Sequence, residues 1–223
     1  MVMQSPKLNV LVLMGGPSYE HEVSLKTGQV ILNALDKSKY NIKAITITKD
    51  GKWLLPATEV KFLESGKKED TQNLISLETG KALEHLKSQK SAAAAFIAMH
   101  GAYGEDGTIQ GLLELAGIPY TGSGVLASAL AMDKIKSAEI FSFHGLQVPR
   151  YWSFSRKAWR QDKKAVLNKI ADDFGAPVVI KPSNCGSSVG VAIVKSIHDL
   201  ENAVNSAFSY SDKVLAQEYI KGL

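Results

Sequence analysis

Cysteine is almost missing: the 223 residues contain one, Cys185. A lone thiol excludes an internal disulfide framework, and no C-x-x-C pair or zinc-type array of cysteines and histidines accompanies it. Long apolar runs are missing too. The stretch Asn9-Val-Leu-Val-Leu-Met14 is too short for the apolar part of an export signal or for a membrane span, and Gly15-Gly16 ends it at once. A reducing, cytoplasmic setting without a membrane partner is the expectation. The phosphate-loop signature G-x-x-x-x-G-K-[ST] does not occur either, which argues against a P-loop nucleotidase. The formal charge is +4 with a pI near 9.0, and between Asp133 and Lys181 ten basic residues face five acidic ones. No helix-turn-helix, RNA-binding or zinc-finger pattern goes with that excess. It predicts a solvated basic surface and a site for nucleotide phosphates rather than a nucleic-acid partner.

What is present is an ordinary globular composition, 45% hydrophobic and 22% charged, with room for one or two domains. Asn9 to Met14 reads as a buried parallel strand, because an apolar run without alternation suits a strand covered on both faces. A helix is expected from about Ser24, a reasonable N-cap, through Val30, Ile31 and Leu35. Tyr40 to Thr48 alternates as a second strand, and Asp50-Gly51 turns the chain. Residues 56 to 92 carry little pattern beyond one helix around Lys81 to Leu86. Ala92 to Met99 is a third buried strand, and Thr108 to Leu115 a helix. Strands alternating with helices predict an open parallel, Rossmann-like sheet, with ligands outside the carboxyl ends of the strands. Two glycine-bearing loops, 15 to 24 and 100 to 107, leave strands at that edge.

After Pro119-Tyr-Thr-Gly-Ser-Gly124 the pattern changes. Helices are expected at Val125 to Met132 and Lys134 to Phe143, then at Lys164 to Phe174 and Asp199 to Phe208. Strands are expected near Tyr151 and at Val178 to Lys181, Val189 to Val194 and Val214 to Glu218. The boundary falls near Gly122, giving an N-terminal α/β domain over 1–121 and an α+β domain over 122–223.

Two glycine-bearing segments are candidates for nucleotide binding. Gly122-Ser-Gly124-Val-Leu-Ala127 fits the dinucleotide pattern G-x-G-x-x-G/A, but the segment before it is short and holds Pro119, and no acidic residue closes a second strand ~20 residues on. A turn at a domain junction accounts for it better. The second is Val178-Val-Ile-Lys181-Pro-Ser-Asn-Cys-Gly186-Ser187-Ser188-Val-Gly190-Val-Ala-Ile-Val194. There a buried strand delivers a lysine, small residues form a loop and a second strand returns, so loop amides and Lys181 can face a polyphosphate. From spacing alone, a plain surface hairpin with a strand-end lysine explains it equally well.

Five segments taken together carry a resemblance: Gly15-Gly16-Pro-Ser18-Tyr-Glu20-His-Glu22-Val23-Ser24, Met99-His100-Gly101-Ala-Tyr-Gly104-Glu105-Asp106-Gly107-Thr-Ile-Gln-Gly111, Pro119-Tyr120-Thr121-Gly122-Ser123-Gly124, Met132-Asp133-Lys134 and the Lys181 hairpin. In order and spacing they resemble D-alanine:D-alanine ligases, across most of the chain and least at 56–92 and 155–175. The resemblance implies an open α/β domain followed by the first α+β subdomain of an ATP-grasp module. It also implies ATP and Mg²⁺ as co-substrate and cofactor, D-alanine as substrate and a homodimeric full-length form. Relatives that make D-alanyl-D-lactate or another D-amino acid pair, other ATP-grasp carboxylate-amine ligases, and a non-catalytic nucleotide-binding module are the alternatives.

Residue by residue, the resemblance implies that Glu20 pairs with the ammonium of the first D-alanine, with Ser187 hydrogen-bonded to that acid. Without it, the two read as a helix-start carboxylate and a loop hydroxyl. It further implies that Val23 lines the methyl pocket and that His100 lies near the substrate carboxylate. Lys134, Lys181 and Ser188 hold phosphates, and Gln217, Glu218, Tyr219 and Ile220 form an adenine connector acting chiefly through backbone groups. Gln217 departs from the acidic residue that many relatives carry there. Glu105 and Asp106, adjacent and pointing apart, read as loop-ordering groups rather than an acid/base pair. The chain ends at Lys221-Gly222-Leu223, just past the connector. The expectation is therefore that the second ATP-grasp half and its metal ligands are absent, that residues 1–223 hold no metal site, and that this span alone is inactive.

Overall fold

The computed structural model describes residues 6–56, 74–88 and 92–222. The chain divides into two compact units, Met1–Ser128 and Ala129–Leu223. The first opens with β1 (Leu8–Gly15), α1 (His21–Ala34) and β2 (Tyr40–Ile47). There follow β3 (Trp53–Pro56), β4 (Leu74–Leu77), α2 (Thr79–Ser88), β5 (Ala92–Ile97) and α3 (Thr108–Ala116), and α4 (Val125–Met132) runs across the division.

The sheet order is β4-β3-β2-β1-β5. β1 lies in the middle and pairs in parallel with β2, Val12 against Ala44, and with β5, Val12 against Phe96. Its side chains alternate between two cores. Leu11 and Leu13 pack with Ile45, Trp53, Ile109 and Leu113, while Val10, Val12 and Met14 pack with Leu32 and Ile42 on the other face. Burial on both faces is why β1 reads as an unbroken apolar run.

The α/β class and the parallel centre agree with the sequence reading, but the sheet is mixed. β3 pairs antiparallel with β2, and β4 antiparallel with β3. For β2 and β3 the cause is the connection: Thr48 N–H donates to Lys52 O (2.8 Å), and Gly51 takes φ +82 in between. So short a turn cannot carry the crossover that parallel pairing needs.

The second unit contains α5 (Lys134–Phe143), β6 (Tyr151–Ser155), α6 (Arg156–Gln161), α7 (Lys163–Phe174), β7 (Val178–Pro182) and β8 (Ala192–Val194). A 3-10 turn at Ile197–Asp199, α8 (Leu200–Phe208) and β9 (Lys213–Glu218) complete it. Its sheet, β6-β9-β7-β8, is antiparallel throughout. Ile170, Val178, Ile180, Leu200, Val204, Phe208 and Val214 form its core. β8 starts at Ala192 rather than Val189 because residues before it are spent in turns, with Val189 N–H bonded to Gly186 O and Val191 N–H to Ser188 O. Among the described residues no helix is long and apolar enough to cross a membrane.

Candidate active site

In the first unit the site is built where β1 and β5 end. The expected N-cap, Ser24, is not one. α1 begins at His21, and Ser24 is fully buried inside it. Its hydroxyl accepts from Gly15 N–H (2.8 Å) and donates to Ala98 O (2.7 Å), tying the loop after β1 to the chain leaving β5. Ser18 makes a second tie, donating to His100 O (2.8 Å) and accepting from Glu20 N–H (3.1 Å). His21 Nδ1–H donates to Gly16 O (2.7 Å), so the double-glycine turn is held from inside the helix. Gly15 must be glycine here: its φ is +85, and a Cβ would lie 2.2 Å from Ile47 O.

Glu20 occupies the N-cap position of α1, yet its side chain makes no capping bond and is only 7% exposed. The carboxylate lies against Gly101, where a Cβ would stand 2.3 Å from Oε2. Glu20, His100 and Glu105 each present one ligand atom within 4.8 Å of the others. Glu105 also accepts from Gly101 N–H (2.6 Å), while Asp106 accepts from Tyr103 N–H (2.9 Å) and Thr108 N–H (3.0 Å). The two acids order the loop, as their adjacency suggested. His100 is half-buried, with Nε2 2.9 Å from Thr27 Oγ1. Val23 stands on the first turns of α1, 50% exposed.

In the second unit the β7–β8 hairpin and the start of α5 bring two lysines together. Asp133 caps α5, accepting from Ile135 N–H (2.9 Å) and Lys136 N–H (3.2 Å). Lys134 N–H donates to Ser183 O (2.8 Å), and Lys134 Nζ donates to Cys185 O. Lys181 sits near the end of β7. Burial holds both ammonium groups below the ordinary lysine value, and the Lys134 charge lowers Lys181 further. Two partly desolvated cations beside one loop make a strong anion site. Ser187 and Ser188 lie in that loop with φ +47 and +60, both exposed. At the far end, Gln217 is paired between β6 and β7. Glu218 is engaged by Arg150, accepting from its N–H (2.7 Å) and its Nε–H (3.0 Å), which lowers the pKa of the acid. Glu218 N–H is taken by Arg150 O (2.9 Å), whereas Tyr219 and Ile220 follow the strand and are exposed.

Residues 9–123 match the family description D-ala D-ala ligase N-terminus, and residues 140–223 match D-ala D-ala ligase C-terminus. The chain belongs to the D-alanine–D-alanine ligase family. It is 42% identical over 222 residues to the D-alanine–D-alanine ligase of Natranaerobius thermophilus, covering 97% of this chain and 61% of that one. The ligase of Acetivibrio thermocellus is 42% identical over 237 residues, covering 97% and 63%. Among solved structures, the VanG D-Ala:D-Ser ligase of Enterococcus faecalis superposes with a TM-score of 0.78 at 31% identity, covering 97% of this chain and 64% of that one. The D-alanine–D-alanine ligase of Coxiella burnetii gives 0.74 at 29%, covering 97% and 65%. The chain thus spans a little over three-fifths of the length of these family members.

Four residues of the site escaped the sequence reading. Ser18 and Asp133 lay inside the quoted segments without a role, Ser24 was read only as an N-cap, and Thr27 lay outside them. The signal for Ser24 was its distance from the helix start. With α1 beginning at His21, a serine one turn in must either face water or find a buried partner.

Proposed function

We propose that this chain serves the ATP-dependent joining of two D-alanines into D-alanyl-D-alanine, the dipeptide of bacterial peptidoglycan. A carboxylate is a poor electrophile until it gains a leaving group. Transfer of the ATP γ-phosphate to the first D-alanine carboxylate gives an acyl phosphate and ADP. The amine of the second D-alanine then attacks the acyl carbon, forming the amide and releasing phosphate.

The observation that carries the reading is Glu20: a 7% exposed carboxylate at a helix start that it does not cap. A carboxylate placed there can take the ammonium of the first D-alanine in a charge-assisted bond. In this reading Val23 meets the substrate methyl and His100 faces its carboxylate. Lys134, Lys181 and the Ser188 loop hold the phosphates. The adenine meets the connector at Gln217, Glu218, Tyr219 and Ile220; with Glu218 N–H already bonded to Arg150, the last two residues, both exposed, do most of this work.

Mg²⁺, which ATP chemistry of this kind employs, prefers six oxygen ligands. Among the described residues the one cluster able to hold a metal, Glu20, His100 and Glu105, includes an imidazole and lies in the unit without the lysine pair. It does not suit that ion, and no step is assigned to it. A second reading, with D-serine as the second substrate, is favoured by the likeness to the VanG D-Ala:D-Ser ligase.

The test is Glu20→Gln in the full-length protein, with D-alanine and ATP varied separately. A bond to a charged group contributes roughly 1.5–3 kcal/mol, so kcat/KM for D-alanine should fall about ten- to hundredfold with the ATP KM unchanged. Intact D-alanine kinetics in a folded variant would remove Glu20 from the site.

A further inference from the structure

Thr27 stands on α1 one turn beyond Val23, and its Oγ1 lies 2.9 Å from His100 Nε2. The contact joins residues 73 apart in sequence. His100 Nε2 is thereby engaged, and the other ring nitrogen, Nδ1, has no hydrogen-bond partner among the described residues. The peptide beside the ring is fixed as well, because His100 O accepts from Ser18 Oγ (2.8 Å). Backbone and Nε2 are both anchored, so the ring has one nitrogen left with which to meet a ligand.

We infer that Thr27 is a positioning residue for His100: its hydroxyl donates to Nε2, holds the ring plane and keeps the neutral imidazole as the Nδ1–H tautomer, a donor aimed at the carboxylate of the first amino-acid substrate. A neutral imidazole carries one N–H, and which nitrogen bears it is set by the bond that the other makes. A bare Nδ1 would meet a substrate carboxylate lone pair to lone pair, whereas Nδ1–H meets it as a donor. For that, Nε2 must be bare and must receive a proton from a neighbour. A hydroxyl can give one, and valine of nearly the same shape cannot.

The substrate half of this inference rests on the ligase reading, but the tautomer half does not, and the experiment separates them. In the ¹⁵N-histidine-labelled chain, the two ring nitrogens of His100 are assigned by long-range ¹H–¹⁵N correlation in the parent, Thr27→Val and Thr27→Ser. The parent and Thr27→Ser should show Nδ1–H with a bare Nε2, and Thr27→Val should shift towards Nε2–H. Valine and threonine have similar helix propensity, so α1 should persist. An Nε2–H tautomer in the parent, or one unaltered in Thr27→Val, overturns the inference. In the full-length enzyme, Thr27→Val should raise the D-alanine KM about tenfold, the ATP KM should stay put, and Thr27→Ser should recover most of the loss. A purely structural threonine would instead lower stability and leave that ratio of KM values unmoved, which also overturns the role. Absence of D-alanine-dependent turnover in the parent enzyme would sink the ligase reading and leave the tautomer result standing.

Discussion

At the scale of single residues the site is a set of charges held in partly dry surroundings, and their protonation is the most direct handle on it. Lys134 and Lys181 have folded-state pKa values below the ordinary 10.5. Between the folded and unfolded values the unfolded chain binds more protons, so stability should rise with pH there, relieving a penalty present at lower pH. Polyphosphate binding acts in the opposite sense: it favours the charged lysines, raises their pKa and draws protons in. Calorimetry of ATP or triphosphate binding in buffers of different ionisation enthalpy should therefore show proton uptake once the pH nears the lowered lysine values, with affinity falling above them. Lys181→Ala should abolish most of that uptake and, in the full-length protein, raise the ATP KM and lower kcat. Uptake that survives the substitution would make Lys181 a bystander. Gly101 combines φ +68 with a Cβ position 2.3 Å from Glu20 Oε2. Under the proposed function, Gly101→Ala in the full-length protein should push the carboxylate away and lower kcat/KM for D-alanine by at least about tenfold, with ATP parameters intact.

At the scale of elements, the loop after β1 carries Glu20 and the loop after β5 carries His100 and Glu105, and buried serines keep the two loops in register. Ser24→Ala leaves Gly15 N–H and Ala98 O unsatisfied in a buried setting, which costs about 1–3 kcal/mol. Urea unfolding should show a lower midpoint with an unchanged slope, and an unshifted midpoint would mean that water satisfies both groups. Much at this level was legible beforehand. β1, α1, β5 and α3 were readable because their apolar periods are uninterrupted, and the Lys181 hairpin because small residues separate two apolar strands. The helix start was misread because Ser24 has the chemistry of a cap; a buried carbonyl and amide on two other segments recruited its hydroxyl instead. α6 was missed, although Ser155 caps it by accepting from Ala158 N–H (3.2 Å), because at six residues it is too short to show a period. The helix expected at Lys81 to Leu86 lies within α2, but residues 57–73 and 89–91 of the weakly patterned stretch fall outside the described residues.

At the scale of the molecule, each unit has its own core. Leu13, fully buried in the first, should cost about 2–5 kcal/mol on truncation to alanine, and so should Ile180 in the second. Hydrogen exchange should show where the loss falls: Leu13→Ala should expose amides of β1, β2 and β5 while those of β7 and β9 keep their protection. Uniform loss across both sheets would mean that the two cores unfold as one. The sequence by itself determined the element types, the α/β class and the five segments that carry the family resemblance, because periodicity, turn residues and motif spacing are local properties of the chain. The tertiary structure alone decided that Ser24 bridges rather than caps, that Lys134 joins Lys181, and that Thr27 meets His100. Each of those depends on a partner distant in sequence or on a burial that only the packed cores impose, and no local pattern records either.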